Sequence, residues 1–334
     1  MNYLYFIGID ISKDTLDIAV SKDGKLLFHV RISNDPEGIR GLLKRLKSLG
    51  DFSMQQAVFC MEHTGIYNQH VLNFLHEQKA NICLESAVYI KYCSGLQRGK
   101  NDRIDAIRIA EFAYEKRDKL RLWKPQREVM QQLSHLAGLR SRLIGVKTQL
   151  TVPINEMKPF NKKAAGQMQK LSGASLRSLE SDIEKTDKAI QEVIASDPEL
   201  KRLFAIVSSV DGIGKVTAVQ MIITTGEFTT ITEPAKFACY AGVAPFSYTS
   251  GTTIKGKMGV SHRANKTMKT LLHMCAVSAI QCDSDMKLYY QRKLEENKPR
   301  MSVLNAVRNK LIYRVFACVR DNRLYQKKYE NALV

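Results

Sequence analysis

Three successive runs at the start of the chain each predict a strand, the first almost continuously apolar and the next two alternating between apolar and polar positions. In Tyr3 to Ile11 the residues Tyr3, Tyr5, Ile7, Ile9 and Ile11 fall on one side and Leu4, Phe6, Gly8 and Asp10 on the other, so both faces read as buried. Thr15 to Ser21 and Leu26 to Ile32 alternate on either side of the turn Lys22-Asp23-Gly24-Lys25, a hairpin signal. The opening is therefore three consecutive strands, expected to be antiparallel. Asn34 or Asp35 caps a helix with Pro36 in its first turn and Ile39, Leu42, Leu43, Leu46 and Leu49 on its apolar face, ending at Gly50. A strand at Ala57 to Met61, a helix through Val71, Leu72, Phe74 and Leu75, a short strand at Ile82 to Leu84 and a helix opening at Asn101-Asp102 complete the order β-β-β-α-β-α-β-α.

Trp123-Lys124-Pro125 marks an exit from this region. Val129, Leu133, Leu136, Leu143, Val146 and Leu150 then recur at helical spacing up to Pro153, and a second helix runs from Leu176 through Leu179, Ile183 and Ile190 to Ile194. Between them Lys158 to Lys170 is basic and poorly patterned. The two helices make either a hairpin within the chain or an intermolecular coiled coil. Farther on, Gly212-Ile213-Gly214 joins the apolar helical patterns Leu203 to Val207 and Ala218 to Ile223, and two last helices are expected at Ser284 to Glu296 and Met301 to Arg320.

Charge changes the picture more than bulk composition does. The 334 residues are 44% hydrophobic and 25% charged, ordinary for a globular protein, and their net charge is +18. Residues 1–120 hold 17 Lys/Arg against 15 Asp/Glu, residues 121–200 hold 13 against 9, and residues 201–334 hold 21 against 9. The positive field belongs to the C-terminal part and points to a polyanion, with nucleic acid favoured over membrane because the basic residues are spread over several segments. No apolar run reaches the length of a membrane span and no signal-peptide pattern opens the chain, so a cytoplasmic, nucleoid-associated protein is expected. The seven cysteines form no Cys-x-x-Cys pair, and neither they nor the seven histidines cluster as zinc ligands would.

The candidate chemistry begins with carboxylates. Asp10 lies on a core strand, Glu62 ends the fourth strand, and Asp102 and Asp105 lie three apart on one face of a helix start, with Ile104, Ile107, Ile109 and Ala110 expected to pack the opposite side. Each acid has an ordinary alternative: Asp102 as an N-cap, Asp105 as a partner of Arg108 or Arg103, Glu62 as a solvated strand end. Together, in this order of elements, they match the layout of a ribonuclease-H-like nuclease domain. Four carboxylates converging to about 6 Å repel by roughly 3 kcal/mol per pair at an effective dielectric near 20. Such a cluster requires cations, and oxygen ligands select Mg²⁺ or Mn²⁺.

The C-terminal part adds hydroxyls and phosphate-directed groups. Gly212-Ile213-Gly214 followed by Lys215 reads as a helix-hairpin-helix turn or as a plain tight turn. After Pro245 a flexible hydroxyl-rich loop with Ser247 and Ser250 runs into Lys255, Lys257, Arg263 and Lys266, a phosphate-contacting surface.

Taken together, Gly8-Ile9-Asp10-Ile11-Ser12-Lys13-Asp14, Glu62-His63-Thr64-Gly65, Lys100-Asn101-Asp102-Arg103-Ile104-Asp105-Ala106, Gly212-Ile213-Gly214 and Ala241-Gly242-Val243-Ala244-Pro245 with Ser250-Gly251 resemble the DEDD-type insertion-sequence transposases. That family includes Piv-type DNA invertases and bridge-RNA-guided recombinases, and the likeness follows its order through nearly the whole chain. It implies an α/β plus α architecture: a RuvC-like mixed-sheet domain at 1–122, a helical coiled-coil connector at 123–200 and a mainly helical transposase domain with a helix-hairpin-helix at 201–334. It also implies Asp10, Glu62, Asp102 and Asp105 as Mg²⁺ or Mn²⁺ ligands and Ser250 as a nucleophile that joins covalently to a DNA phosphate, with Ser247 as the alternative. Implied partners are double-stranded DNA at element ends and target, a structured guide RNA in many members, and further copies of the chain as a homodimer or homotetramer. Two other functions compete: a RuvC-type structure-specific endonuclease using metal-activated water, and a non-catalytic nucleic-acid-binding protein on the same fold.

Overall fold

In a computed structural model the three runs are β1 (Tyr5–Ile11), β2 (Thr15–Lys22) and β3 (Lys25–Ser33), joined antiparallel as expected. The structure describes residues 3–93, 101–246, 249–250, 254–255, 259–260 and 264–327, with 249–250 and 254–255 described by their backbone. Its contacts separate the chain into two units, 1–125 and 126–334.

In the first unit α1 (Pro36–Lys47) is capped by Asp35, whose Oδ1 accepts the Gly38 N–H at 2.7 Å; the helix closes at Ser48, ahead of Gly50. β4 (Ala57–Glu62), α2 (Gln69–Glu77), β5 (Asn81–Glu85), α3 (Ala87–Cys93) and α4 (Asp102–Glu115) follow. The seven-residue α3 is too short for a helical period to announce it. Sheet order is β3-β2-β1-β4-β5, with β4 parallel to both β1 and β5.

Strand parity sorts the core into two layers. Ile7, Ile9, Leu16, Ile18, Phe59 and Met61 pack with α1 and α2 on one face. The other face offers Phe6, Ala19, Val58 and Cys60 to α4, whose Ala106, Ile109, Ala110 and Ala113 are buried. Gly8 sets how closely α4 approaches: a Cβ there would lie 2.2 Å from the Ala106 carbonyl oxygen and 2.3 Å from the Ala110 nitrogen. Both are backbone atoms that cannot swing aside. Gly8→Ala is therefore expected to cost about 3 kcal/mol. Urea unfolding checks this, and an unchanged midpoint would contradict the packing described.

The second unit opens with two long helices, α5 (Glu128–Met157) and α6 (Lys162–Ser196). Arg140 pairs with Asp187 at 2.6 Å and Lys147 with Glu180 at 2.8 Å, so seven steps forward on α5 match seven back on α6. The helices form an antiparallel hairpin within one chain. Two boundaries differ from those the periodicity predicts. α5 continues through Pro153 to Met157, because a proline removes one intrahelical bond while the turns around it and the buried Ile154 hold. α6 starts at Lys162, where Asn161 Oδ1 accepts the Ala164 N–H at 3.0 Å, so most of the basic segment is helix despite its weak apolar pattern.

The base of the hairpin, through Met130, Leu133, Ile190, Val193 and Ile194, shares one core with α7 (Pro198–Ser208), α8 (Lys215–Thr225), α9 (Pro234–Tyr240), α10 (Lys266–Cys282), α11 (Ser284–Glu295) and α12 (Arg300–Arg320). Between α9 and α10, where a flexible loop is expected, the described backbone forms two short antiparallel ladders. β6 (Pro245–Phe246) pairs with β9 (Gly259–Val260), and β7 (Thr249–Ser250) pairs with β8 (Ile254–Lys255). No helix of the described residues is long and apolar enough to cross a membrane.

Candidate active site

One row of charged side chains crosses the first unit's sheet. Arg31 on β3 stands opposite Asp17 on β2, and Asp17 opposite Asp10 on β1. On β4 the Ile9–Met61 pair puts Glu62 one step beyond, and Glu62 pairs in register with Glu85 on β5. Directly opposed residues share a face. The face here is the α4 face, because Asp10 follows Gly8, and Asp17 precedes Ala19, by two residues.

α4 brings the other two acids to that face. Its cap is Asn101, whose Oδ1 accepts the Ile104 N–H at 2.8 Å, so Asp102 is not the capping residue. Asp102 and Asp105 lie one turn before the buried Ala106 and Ile109, on the same stripe of the helix. The expected opposition between acids and apolar face is thus corrected: the acids prolong the packing stripe past the edge of the apolar core, over Asp10. Residues four apart on a helix are neighbours on one face, which places Asp102 above Ala106 and Asp105 above Ile109.

The electrostatics follow from this crowding. Burial first, then Asp105, Asp102, Glu62 and Asp17 in that order, push the Asp10 carboxyl up to about 6. The surroundings are partly neutralised by arginines. Arg31 Nε donates to Asp17 Oδ2 at 2.8 Å, and Arg31 Nη2 donates to Asp102 Oδ2 at 2.8 Å. Arg108 Nη1 donates to Asp105 Oδ1 at 3.1 Å. His29 Nε2 lies 2.8 Å from the other oxygen of the buried Asp17. The Arg31–Asp102 bridge is more than half exposed at both ends, so it is worth at most about 1 kcal/mol.

Among the described residues, no three carboxylates, histidines or cysteines stand close enough to hold one metal ion as they are arranged. The donor set still suits a hard divalent cation, since Asp10, Glu62, Asp102 and Asp105 offer only carboxylate oxygens. A half-buried acid crowded by like charges is the environment such an ion relieves, and the exposed Arg31–Asp102 bridge is cheap to exchange for it.

Glu62 is held by its turn. Buried Asn68 donates Nδ2–H to the Glu62 carbonyl at 2.8 Å, while its Oδ1 accepts the Thr64 N–H at 2.6 Å. Gly65 takes φ +72° in the same turn. Sequence reasoning missed Asn68, Asp17, Glu85 and Arg31. For Asp17 a signal existed: it is as far after the Ser12–Thr15 turn as Asp10 is before it, so a tight hairpin sets them opposite.

In the second unit, Gly212 takes φ +89°, and a Cβ there would lie 2.7 Å from Ala279 Cβ and 2.9 Å from the Cys275 carbonyl of α10. Its glycine identity is thus explained by packing. Gly214 is the backbone N-cap of α8, with open space where a Cβ would stand, and Lys215 and Lys266 are exposed at the starts of α8 and α10. Ser250 lies on β7 and Lys255 on β8; Ser247, Lys257 and Arg263 lie outside the described residues.

Two family models match this chain. Residues 7–157 match one described as Transposase, of the DEDD IS110 type, and residues 205–291 match Transposase IS116/IS110/IS902 family. The chain is similar to the Pilin gene-inverting protein of Moraxella bovis, 23% identical over 97% of this chain and 98% of that protein. It is also similar to the 43.6 kDa protein of insertion element IS110 from Streptomyces coelicolor, 27% identical over 46% of this chain and 38% of the other. Among solved structures, a T. thermophilus RuvC in complex with Holliday junction substrate aligns over 36% of this chain and 100% of its own, at 15% identity and a TM-score of 0.29.

Proposed function

We propose that this chain, whose residues 7–157 and 205–291 match IS110-type transposase models, is a DEDD transposase that recombines DNA through a covalent phosphoserine at Ser250, with Asp10, Glu62, Asp102 and Asp105 holding Mg²⁺ or Mn²⁺. One observation carries the metal half. The Asp10 carboxyl is raised by Asp105, Asp102 and Glu62 at once, although these come from a helix start and a different strand. A fold needing only stability gains nothing from such a gathering.

The chemistry balances without an external energy source. Ser250 Oγ attacks phosphorus, forming an O–P bond as one P–O bond to deoxyribose breaks; the serine proton goes to solvent and the departing oxygen takes one up. A deoxyribose hydroxyl of another strand then reverses the exchange and releases Ser250. Each step trades one phosphate ester for another, so no nucleoside triphosphate is required, in keeping with the lack of a complete Gly-x-x-x-x-Gly-Lys-Ser/Thr loop. A bound divalent cation supplies charge neutralisation at the attacked phosphate. Lys215, Lys255, Lys257, Arg263 and Lys266, with the backbone of Gly212 and Gly214 in a helix-hairpin-helix, hold flanking phosphates. A homodimer or homotetramer brings Ser250 to the acids, and a structured RNA guides the choice of target.

The test uses the full chain and a supercoiled plasmid carrying the DNA that flanks its own gene. Joined recombinants are expected in Mg²⁺ and at least a hundredfold fewer in EDTA. Loss after ribonuclease treatment identifies the guide. Cutting without joining would favour the metal-activated-water endonuclease, and activity undiminished in EDTA would remove the metal.

A further inference from the structure

Among the described residues, Arg308 is a charge with no counter-charge. It lies on α12, only 5% exposed, in the core of the second unit. Its partners are neutral: Nη2 lies 2.7 Å from His273 Nδ1 on α10, and Nη1 reaches Asn305 Oδ1 at 3.4 Å. Its Nε has no hydrogen-bond partner among the described residues. Burial lowers the affinity of His273 for a second proton, and Arg308 lowers it further, so the ring stays neutral and its Nδ1 accepts. No acidic residue occurs anywhere from Pro234 to Cys282, so neither α9, α10 nor the chain between them has a carboxylate side chain to offer.

The position is as informative as the charge. Asn305 Nδ2 donates to the Val243 carbonyl at 2.7 Å, just where the chain leaves α9 for β6. On the returning side the Asn265 N–H donates to the Tyr240 carbonyl at 2.9 Å and its Nδ2 to Tyr240 Oη at 2.8 Å. These contacts close the root of the segment that carries Ser250, and Arg308 sits at that root with His273 and Asn305. A buried guanidinium without an anion opposes folding, and a protein built for stability alone would place an apolar side chain there.

We propose that Arg308, with His273 and Asn305, is an anion site at the root of the serine segment, filled by a backbone phosphate of bound DNA. Guanidinium suits the task, because it stays charged when buried and offers paired donors to phosphate oxygens. The assignment rests on the DNA-recombining reading of the chain. It adds a phosphate contact that neither the exposed lysines nor the glycine turn provides, and it makes Arg308 a residue kept for the complex at the expense of the free protein.

That trade-off is the test. The full chain, freed of RNA with ribonuclease, is compared as wild type, Arg308→Met and Arg308→Lys for melting temperature without DNA and for binding to a fluorescent duplex over a range of salt. Arg308→Met should melt no lower than wild type, bind about tenfold more weakly, and flatten the plot of log affinity against log salt by about 0.9. Arg308→Lys should keep the wild-type slope. A lower melting temperature in the methionine variant, or an unchanged salt slope, overturns the proposal and returns Arg308 to the fold. Wild type that binds DNA without salt dependence sinks the DNA reading itself, and this inference with it.

Discussion

Asp10→Asn should abolish strand cleavage, by about a thousandfold or more, in a protein that is at least as stable as wild type when metal is absent. The two expectations come from the same crowding. Asn is nearly isosteric but carries no charge, so it removes the central carboxylate of the proposed metal site while leaving β1 in place. In the metal-free protein the folded Asp10 holds its proton up to about pH 6, whereas the unfolded chain releases it near 3.8. The native state thus binds more protons between those values, and stability falls as pH rises through that window. Asn is spared the loss, a gain on the order of 1–2 kcal/mol above pH 6 once solvent screening is allowed for. Cleavage rates with Mg²⁺ and thermal melts in EDTA at pH 5 and 8 measure both. A variant that cuts normally removes Asp10 from the site; one that melts lower at pH 8 shows that the carboxylate supports the fold.

Ser250→Ala should eliminate the covalent protein–DNA adduct and all joined product, a loss of about four orders of magnitude or more. The effect is expected to be this large because nothing can replace the bond: without Oγ the cut end has no carrier between breakage and joining. Denaturing gels of labelled DNA after protease treatment detect the adduct directly. Ser247→Ala should keep it, since that residue is the alternative nucleophile and only one of the two can fill the role. If Ser250→Ala cuts and joins as wild type does, the phosphoserine route is wrong. If it cuts without joining, water is the nucleophile and the endonuclease reading gains.

Much of the first unit can be read before any coordinates are known. An almost continuously apolar run followed by two alternating runs across an Asp-Gly turn is enough for β1, β2 and β3, because strand period and turn chemistry are local signals. The four acids stand out for a similar reason: they occupy strand and helix ends in an order that matches a known family. Boundaries are less legible. α6 begins fourteen residues before the first residue of its apolar pattern because Asn161 caps it locally, and α5 passes through a proline because later packing at Ile154 holds the helix together. Around Ser250, where a flexible loop is expected, the described residues pair in two short ladders, whose two-residue strands leave no detectable period.

What the sequence determines by itself is therefore the alternation of strands, the identity of the acids and the basic C-terminal field. These are local or additive properties, set by neighbours in the chain or by composition. Only the tertiary structure decides that Asp17 and Glu85 share a row with Asp10 and Glu62, that Arg31 reaches Asp102, and that Gly212 serves packing on α10. It also decides that Arg308 is buried with no carboxylate partner among the described residues. Those facts depend on pairings between segments far apart in the chain. An isolated arginine or aspartate reads the same in any surroundings, and its energy is set by the charges and burial that folding places around it.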